Sequence, residues 1–444
     1  KLPLHQVMAP AIDLAEKGFP VAPITAHLWA KGLPQLQQGG PYAADLLVGG
    51  ERPPRPGEVF KNPNLANTFK LLVEHGPKGF YEGAVAKAVV EAVRAQGGVL
   101  SEEDLAQHET QYDEAISTTY RGVEVWEVPP PTQGITALMA LNILERLWPL
   151  EDGDEEESRY HSPRHLHYAI ESMRLAFADA LQHVADPSKA TLPTSTLLSK
   201  VYAASRKSTL DKERSVHVEA GQPVDTGGND TVYFCAVDKE GNGCSMINSN
   251  YMGFGTGIVP KDCGFTLQNR GHNFSLDPSH PNCVGPSKQP YHTIIPGMCT
   301  RVEYEDGGSF TPRSTPNVTT RTLDCCFGVM GGFMQPQGHM QVISNMYDFK
   351  MDPQAALDAP RFCLKGVGDS ASPADVASSK VLLEDGIHPA TSSALSCMGH
   401  EITGPVKSYD RTVFGKGQII SRDPYSGVLW GGSDPRADGC AMGW

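Results

Sequence analysis

Thr231 follows Asp230 and opens an apolar run, Val232–Val237, and these surroundings suit one kind of nucleophilic chemistry. A threonine hydroxyl inside a chain is a poor nucleophile because it has no base of its own. If the bond between Asp230 and Thr231 breaks, Thr231 becomes an N-terminus. One residue then holds the attacking Oγ and a base, its own α-amine. An unperturbed α-amino group has a pKa of about 7.7–8.0, close to where a general base works best. Cleavage is therefore the expected activation step. Thr226 also follows an aspartate, but it leads into Gly227-Gly228. The rigid start of an apolar strand places a nucleophile better, which favours Thr231.

The element that must position Thr231 reads as a hairpin. Val232–Val237 is strand-like, Asp238–Asn242 is a turn rich in charge and glycine, and Gly243–Asn248 is a second strand-like run. Before about residue 190 the pattern is mostly helical. Asn64 is expected to cap a helix over Leu65–His75 that stops at Gly76. Another helix spans Ala84–Gln96 and stops at Gly97-Gly98, and Ser101 to Asp104 is a capping-box start. His165–Val184 reads as a long amphipathic helix, and Val123–Val128 as a strand ended by three prolines. Residues 190–230 turn polar without a clear period and are expected to be a flexible surface segment leading to the cut. After Thr231 strands dominate, with a helix near Gln337–Met346. Periodicity alone gives an α+β fold.

Composition excludes several classes. The formal net charge is -14 over 444 residues, which opposes binding to nucleic acid or to anionic membranes. No run approaches the roughly 18 apolar residues of a membrane span. All ten cysteines lie from Cys235 onward, without a C-x-x-C pair, so zinc is not expected. Cys235, Cys244 and Cys263 sit among apolar strand residues and are expected to be buried thiols. Asn273-Phe-Ser and Asn317-Val-Thr fit a glycosylation pattern. The compartment is left open.

The order Thr231, Asp238, Gly241-Asn242, Ser249, Phe254-Gly255-Thr256-Gly257 resembles the small-subunit start of the γ-glutamyltranspeptidase family. The likeness extends to PLHQVMAPAIDLAEKGFPV (3–21), PNLANTFKLLVEHGPKGFYEGAVA (63–86), VPPPTQGITALMALNILE (128–145) and WGGSDPRADG (430–439), nearly the whole chain. It implies the four-layer αββα sandwich of N-terminal-nucleophile hydrolases. Residues 1–230 are then a large-subunit-like part and 231–444 a small-subunit-like part, joined in one domain. Family members carry a segment before the part matching PLHQVMAP, so the chain is expected to be N-terminally truncated. In the family that segment supplies an arginine for the α-carboxylate of the γ-glutamyl group, and a targeting signal is expected to have gone with it.

The resemblance also assigns site residues. Thr231 matches the family nucleophile, with autocleavage between Asp230 and Thr231. Ser249 stands where the family has a second threonine that hydrogen-bonds it. Gly331-Gly332 matches the pair whose backbone N–H groups form an oxyanion hole. In the acyl pocket the chain departs from the pattern. Arg270 occupies an amide or acid position, Asn273 an aspartate position, His292 and Thr293 the place of paired serines, and Tyr251 that of an asparagine. Exchanging a carboxylate for a guanidinium reverses the charge preference there. A close opposite-sign contact is worth about 4 kcal/mol at an effective dielectric of 20.

The expected activity is that of a self-processing amidohydrolase or acyltransferase. It cleaves γ-glutamyl amides of the glutathione type through a threonine acyl-enzyme and passes the acyl group to water, an amino acid or a peptide. The two chains of the precursor stay associated, and no metal or organic cofactor is required. Two alternatives stand beside it. One is an amidase of the cephalosporin-acylase type acting on glutaryl-like groups, which the pocket changes favour. The other is a scaffold relative that does not mature.

Overall fold

A computed structural model describes residues 2–150, 157–215, 229–304, 318–366 and 379–444. By its contacts the chain divides into two bodies, Lys1–Tyr112 with Asn250–Arg270, and Asp113–Ser249 with Gly271–Trp444.

The first body is mainly helical. It contains α1 (Leu4–Lys17), β1 (Phe19–Pro20), α2 (Pro23–Gln38), β2 (Val59–Phe60), α3 (Pro63–His75), α4 (Lys78–Tyr81), α5 (Gly83–Ala95) and α6 (Glu102–Ala106). The cap of α3 is Asn62, whose side chain accepts from the Leu65 N–H. Asn64 was the expected cap; it instead bonds Asp45 at 2.7 Å. Pro63 takes the first helical position, where its missing N–H costs nothing, and that puts the cap at Asn62, two residues upstream of the expected one. Ser101 and Asp104 form the expected capping box. Segment 250–270 is stitched to these helices: Asn62 donates to Gly264 O at 2.7 Å and Thr68 to Cys263 O at 2.9 Å.

Along the second body run β3 (Ile116–Tyr120), β4 (Val123–Glu127), α7 (Gly134–Leu144), α8 (Pro163–His183), α9 (Thr194–Leu197), α10 (Lys200–Lys207), β5 (Asn229–Val237) and β6 (Gly243–Met252). Then come β7 (Gly297–Tyr304), β8 (Val318–Met330), α11 (Met334–Tyr347), α12 (Pro353–Asp358), β9 (Phe362–Lys365), β10 (Lys380–Glu384), α13 (Pro389–Cys397), β11 (Ile402–Val406), β12 (Lys416–Arg422) and β13 (Leu429–Ser433). A six-stranded sheet of order β13-β12-β8-β7-β4-β3 forms its centre, with every neighbouring pair antiparallel. A three-stranded sheet β11-β10-β9 and the β5-β6 hairpin stand apart from it.

Successive residues of a strand face opposite sides of its sheet, so β8 shows what covers each face. A Cβ on Gly328 would lie 2.4 Å from the Tyr233 ring of β5. On the other side, a Cβ on Gly338 of α11 would lie 2.5 Å from Val329 Cγ1. The sheet thus carries the hairpin on one face and α11 on the other, with α7 packed beside α11 and α8 packed on α7. α7 is apolar on all sides and buried throughout, as such a helix must be.

α8 departs from expectation. It is buried from His165 to Leu181 and presents no solvated face. Its central charges are paired inside the fold: Arg174 donates to Glu171 at 2.8 Å, to Ser215 at 2.7 Å and to His400 Nδ1 at 3.1 Å. Segment 190–230 also differs from a plain flexible stretch, because it holds α9 and α10; residues 216–228, and with them Thr226, lie outside the described residues. Among the three cysteines expected to be buried in strands, Cys235 is only half-buried, Cys244 is exposed and Cys263 is buried outside any strand. Among the described residues no helix is long and apolar enough to cross a membrane.

Candidate active site

Thr231 is the third residue of β5 and is buried, whereas Val232 is exposed and Tyr233 buried. Thr231 therefore shares a face with Tyr233, the one turned to the six-stranded sheet. The turn is closed by Asp238, whose carboxylate accepts from the Asn242 backbone N–H and side chain at 2.8 Å each, while its own N–H donates to Asn242 O. Carrying that pairing back along both strands sets Thr231 opposite Ser249. Thr231 Oγ1 donates to Ser249 Oγ at 3.0 Å, in agreement.

The hairpin also has a direction over β8. Tyr233 meets Gly328, and Gly243, next to the turn, would touch Cys326 Sγ at 2.6 Å if it had a Cβ. Moving toward the turn is moving back along β8. Moving from Tyr233 to Thr231 is therefore moving toward Met330 and the glycine pair beyond it.

Gly331 and Gly332 have φ values of +142° and +55°, both in the region that favours glycine. Gly331 O accepts from Met334 N–H at 2.9 Å and Gly332 O from Gln335 N–H at 3.0 Å, opening α11. In a planar trans peptide the N–H points opposite to the C=O. The Gly332 N–H is therefore aimed away from the first turn of α11, and among the described residues it has no acceptor. The helix N-terminus adds favourable dipole for an anion at that end. Burial pushes the Glu127 carboxyl up, with His339 acting against it. His339 accepts from Val329 N–H at 3.0 Å and sits 2.7 Å from Glu127, so its proton is on Nδ1 and it ties α11 to β4 and β8.

His292 and Thr293 are held by the loop after β4. His292 N–H donates to Pro131 O at 2.9 Å, and Gln133 Nε2 donates to Thr293 O at 2.8 Å and to Gly332 O at 2.7 Å. Asn273 is buried and donates to Tyr291 O at 3.0 Å, which stabilises the approach to His292. That burial removes Asn273 from any glycosylation reading; Asn317 lies outside the described residues. Tyr251 and Arg270 belong to the first body. Arg270 is buried, its guanidinium 5.5 Å from the Tyr251 ring centroid, and burial brings its pKa down to about 10, with Tyr251 opposing. The structure thus joins Thr231 with Ser249, Gly332 with Thr293, and Tyr251 with Arg270.

The residue missed by sequence reasoning is Gln133. The sequence reads its neighbourhood only as a strand ended by three prolines and as part of the family-like stretch 128–145, and an amide between two elements gives no spacing signal. His167, Glu171 and His400 also converge, buried, with ligand-type atoms within 4.8 Å. Arginine can only donate, so His400 Nδ1 accepts from Arg174 and its Nε2 proton faces His167 Nδ1 at 2.8 Å. His167 Nε2 then donates to Asp211 O at 2.8 Å. Arg174 already neutralises Glu171, so this donor set works as a hydrogen-bond relay.

Comparison with known proteins extends over the whole chain. The family model described as gamma-glutamyltranspeptidase matches residues 1–444. The glutathione hydrolase-like YwrD proenzyme of Bacillus subtilis is 33% identical over 100% of this chain and 77% of its own length. The oxamate amidohydrolase proenzyme of Klebsiella pneumoniae is 30% identical over 100% of this chain and 76% of its own length. Among solved structures, the cephalosporin acylase from Bacillus halodurans superposes with a TM-score of 0.83 at 38% identity, covering 100% of this chain and 75% of that one.

Proposed function

Because the chain belongs to the gamma-glutamyltranspeptidase family, we propose that it is a self-processing threonine amidohydrolase whose nucleophile is Thr231. The observation that carries this reading is the 3.0 Å hydrogen bond from Thr231 Oγ1 to Ser249, made at the buried start of β5, the end of that strand turned toward Gly331-Gly332. The relatives' description as proenzymes supports a step of self-cleavage. In that step Thr231 Oγ attacks the Asp230 carbonyl carbon and the C–N bond breaks, leaving an ester on Oγ and a free amine on Thr231. Water then hydrolyses the ester, leaving an Asp230 carboxylate. Two chains result and remain associated.

In turnover the Thr231 α-amine takes the Oγ proton as Oγ attacks a substrate amide. The Gly332 N–H stabilises the tetrahedral oxyanion, a type of contact worth about a hundredfold to a thousandfold in rate. Collapse expels the leaving amine, which receives the proton, and leaves an acyl ester on Thr231. Water, an amino acid or a peptide resolves that ester. The acyl group of this reading is γ-glutamyl, in line with the glutathione hydrolase name of one relative. The fold we infer is the four-layer αββα sandwich; the helices, the six-stranded sheet and the hairpin of the second body supply three of its layers.

Arg270 favours a second acyl group. The resemblance read in the sequence gives this position to acyl recognition, and a buried guanidinium in that role selects a carboxylate over an ammonium. The name of the cephalosporin acylase relative is in keeping with it. Two measurements test these readings. Acid quench during turnover should show an acyl adduct on the fragment that begins with Thr231; an adduct elsewhere refutes the nucleophile assignment. Release of p-nitroaniline from γ-glutamyl and glutaryl anilides then separates the acyl groups. A tenfold or greater preference for γ-glutamyl removes the second reading, and the reverse preference removes the first.

A further inference from the structure

Gln133 is fully buried at the N-terminal end of α7. Its Nε2 lies 2.7 Å from Gly332 O and 2.8 Å from Thr293 O, and its backbone N–H donates to His292 O at 2.9 Å. The two carbonyls use both Nε2 protons. The amide orientation is thereby fixed, because a flipped group would press Oε1 against two carbonyl oxygens. Gly332 O is held from a second side by Gln335 N–H at 3.0 Å.

These contacts act on a soft piece of backbone. Gly331 and Gly332 lack the Cβ that would restrict their dihedrals, and both sit at positive φ. The bonds to the two carbonyls set two successive peptide planes: Gly331 O, held by Met334 N–H, sets the Gly332 N–H, and Gly332 O sets the Phe333 N–H. We propose that Gln133 is a positioning residue of the oxyanion hole: by clamping the Gly332 carbonyl against Thr293 it fixes the peptide that follows the Gly332 Cα, and so limits the rotation about Gly332 that would swing its N–H off the developing oxyanion. The inference rests on the threonine-hydrolase reading above. It accounts for a fully buried glutamine that spends both amide protons on two carbonyls from different segments.

The test uses the full-length chain as wild type, Gln133→Met and Gln133→Glu, assayed on whichever of the two anilides wild type hydrolyses faster. Methionine keeps the shape and removes both donors. It should lower kcat by about tenfold to a hundredfold, as a small misplacement at a reacting centre does, with KM changed much less. Glutamate gives a pH readout that a purely structural role would not move. Its protonated carboxyl can donate to one carbonyl, whereas the ionised form repels both. Relative to wild type, kcat of Gln133→Glu should therefore climb as pH falls, at constant protein and within one sample. If Gln133→Met does not fold, this profile decides. A wild-type kcat in Gln133→Met, or a Gln133→Glu profile parallel to wild type, overturns the proposal. A wild type that neither self-cleaves nor turns over overturns the function reading and this inference with it. An active wild type with indifferent variants overturns this inference alone.

Discussion

Thr231 and Ser249 face each other across the β5-β6 hairpin, with Thr231 Oγ1 donating to Ser249 Oγ at 3.0 Å. The bond sets the rotamer of the attacking hydroxyl and draws density onto its oxygen. Ser249→Ala should slow self-cleavage and kcat/KM on the anilides by about tenfold, the upper range of one hydrogen bond. Ser249→Thr keeps the hydroxyl and should retain most activity. An alanine variant as fast as wild type would mean that the contact is only structural.

Gly328 sets how closely the hairpin lies on the sheet. A methyl there would come within 2.4 Å of the Tyr233 ring, two residues from Thr231. Gly328→Ala should cost about 1–3 kcal/mol in urea unfolding, the usual range for overpacking, and should also delay self-cleavage because β5 must shift. Normal stability with normal cleavage would contradict the layering of β5 on β8.

Asp434 anchors the C-terminal SDPRADG stretch. It lies 2.8 Å from Arg361, 3.0 Å from Arg436 and 2.8 Å from the Gly417 N–H. Burial works against its charge, but the two guanidinium groups and the backbone N–H groups outweigh it and hold the carboxyl below its usual range. A depressed folded-state pKa contributes stability that is full above the unfolded value of about 3.9 and is lost as pH falls through the folded one. Asp434→Asn takes the carboxylate from buried Arg361, while Arg436 keeps Glu384, and should cost about 3–5 kcal/mol at pH 7. The gap between wild type and variant should narrow below about pH 4, read from urea unfolding at both pH values. A gap that does not depend on pH would show that Asp434 is neutral in the fold.

Arg270 offers a test of acyl selectivity. Arg270→Gln should shift the ratio of γ-glutamyl to glutaryl anilide hydrolysis toward γ-glutamyl by about tenfold or more, since 1.4 kcal/mol is tenfold and a close charge contact exceeds that. An unchanged ratio would place Arg270 outside acyl recognition.

The parts of the fold written in local chemistry were legible in the sequence. Gly76 ends α3, Ser101 and Asp104 box the start of α6, and Asp238 to Asn242 turns the hairpin, because each depends on residues a few positions apart. The order of short matches around Thr231, Ser249 and Gly331-Gly332 pointed to the family that the whole-chain comparison gives. What escaped depends on distant partners. The polar residues of α8 suggested a solvated face, yet Arg174, Glu171 and His400 bury one another across more than two hundred residues of chain. Gln133 is the same case: its role comes from carbonyls at positions 293 and 332, and nothing beside it in the sequence announces them.

The central claim is that Thr231 makes its own amine. Intact-mass analysis under denaturing conditions, on full-length wild type and Thr231→Ala after incubation of the folded protein, tests it most directly. The account predicts two wild-type fragments that meet between Asp230 and Thr231, and a single intact chain for the variant. An uncut wild type, or a cut that persists in Thr231→Ala, would contradict it.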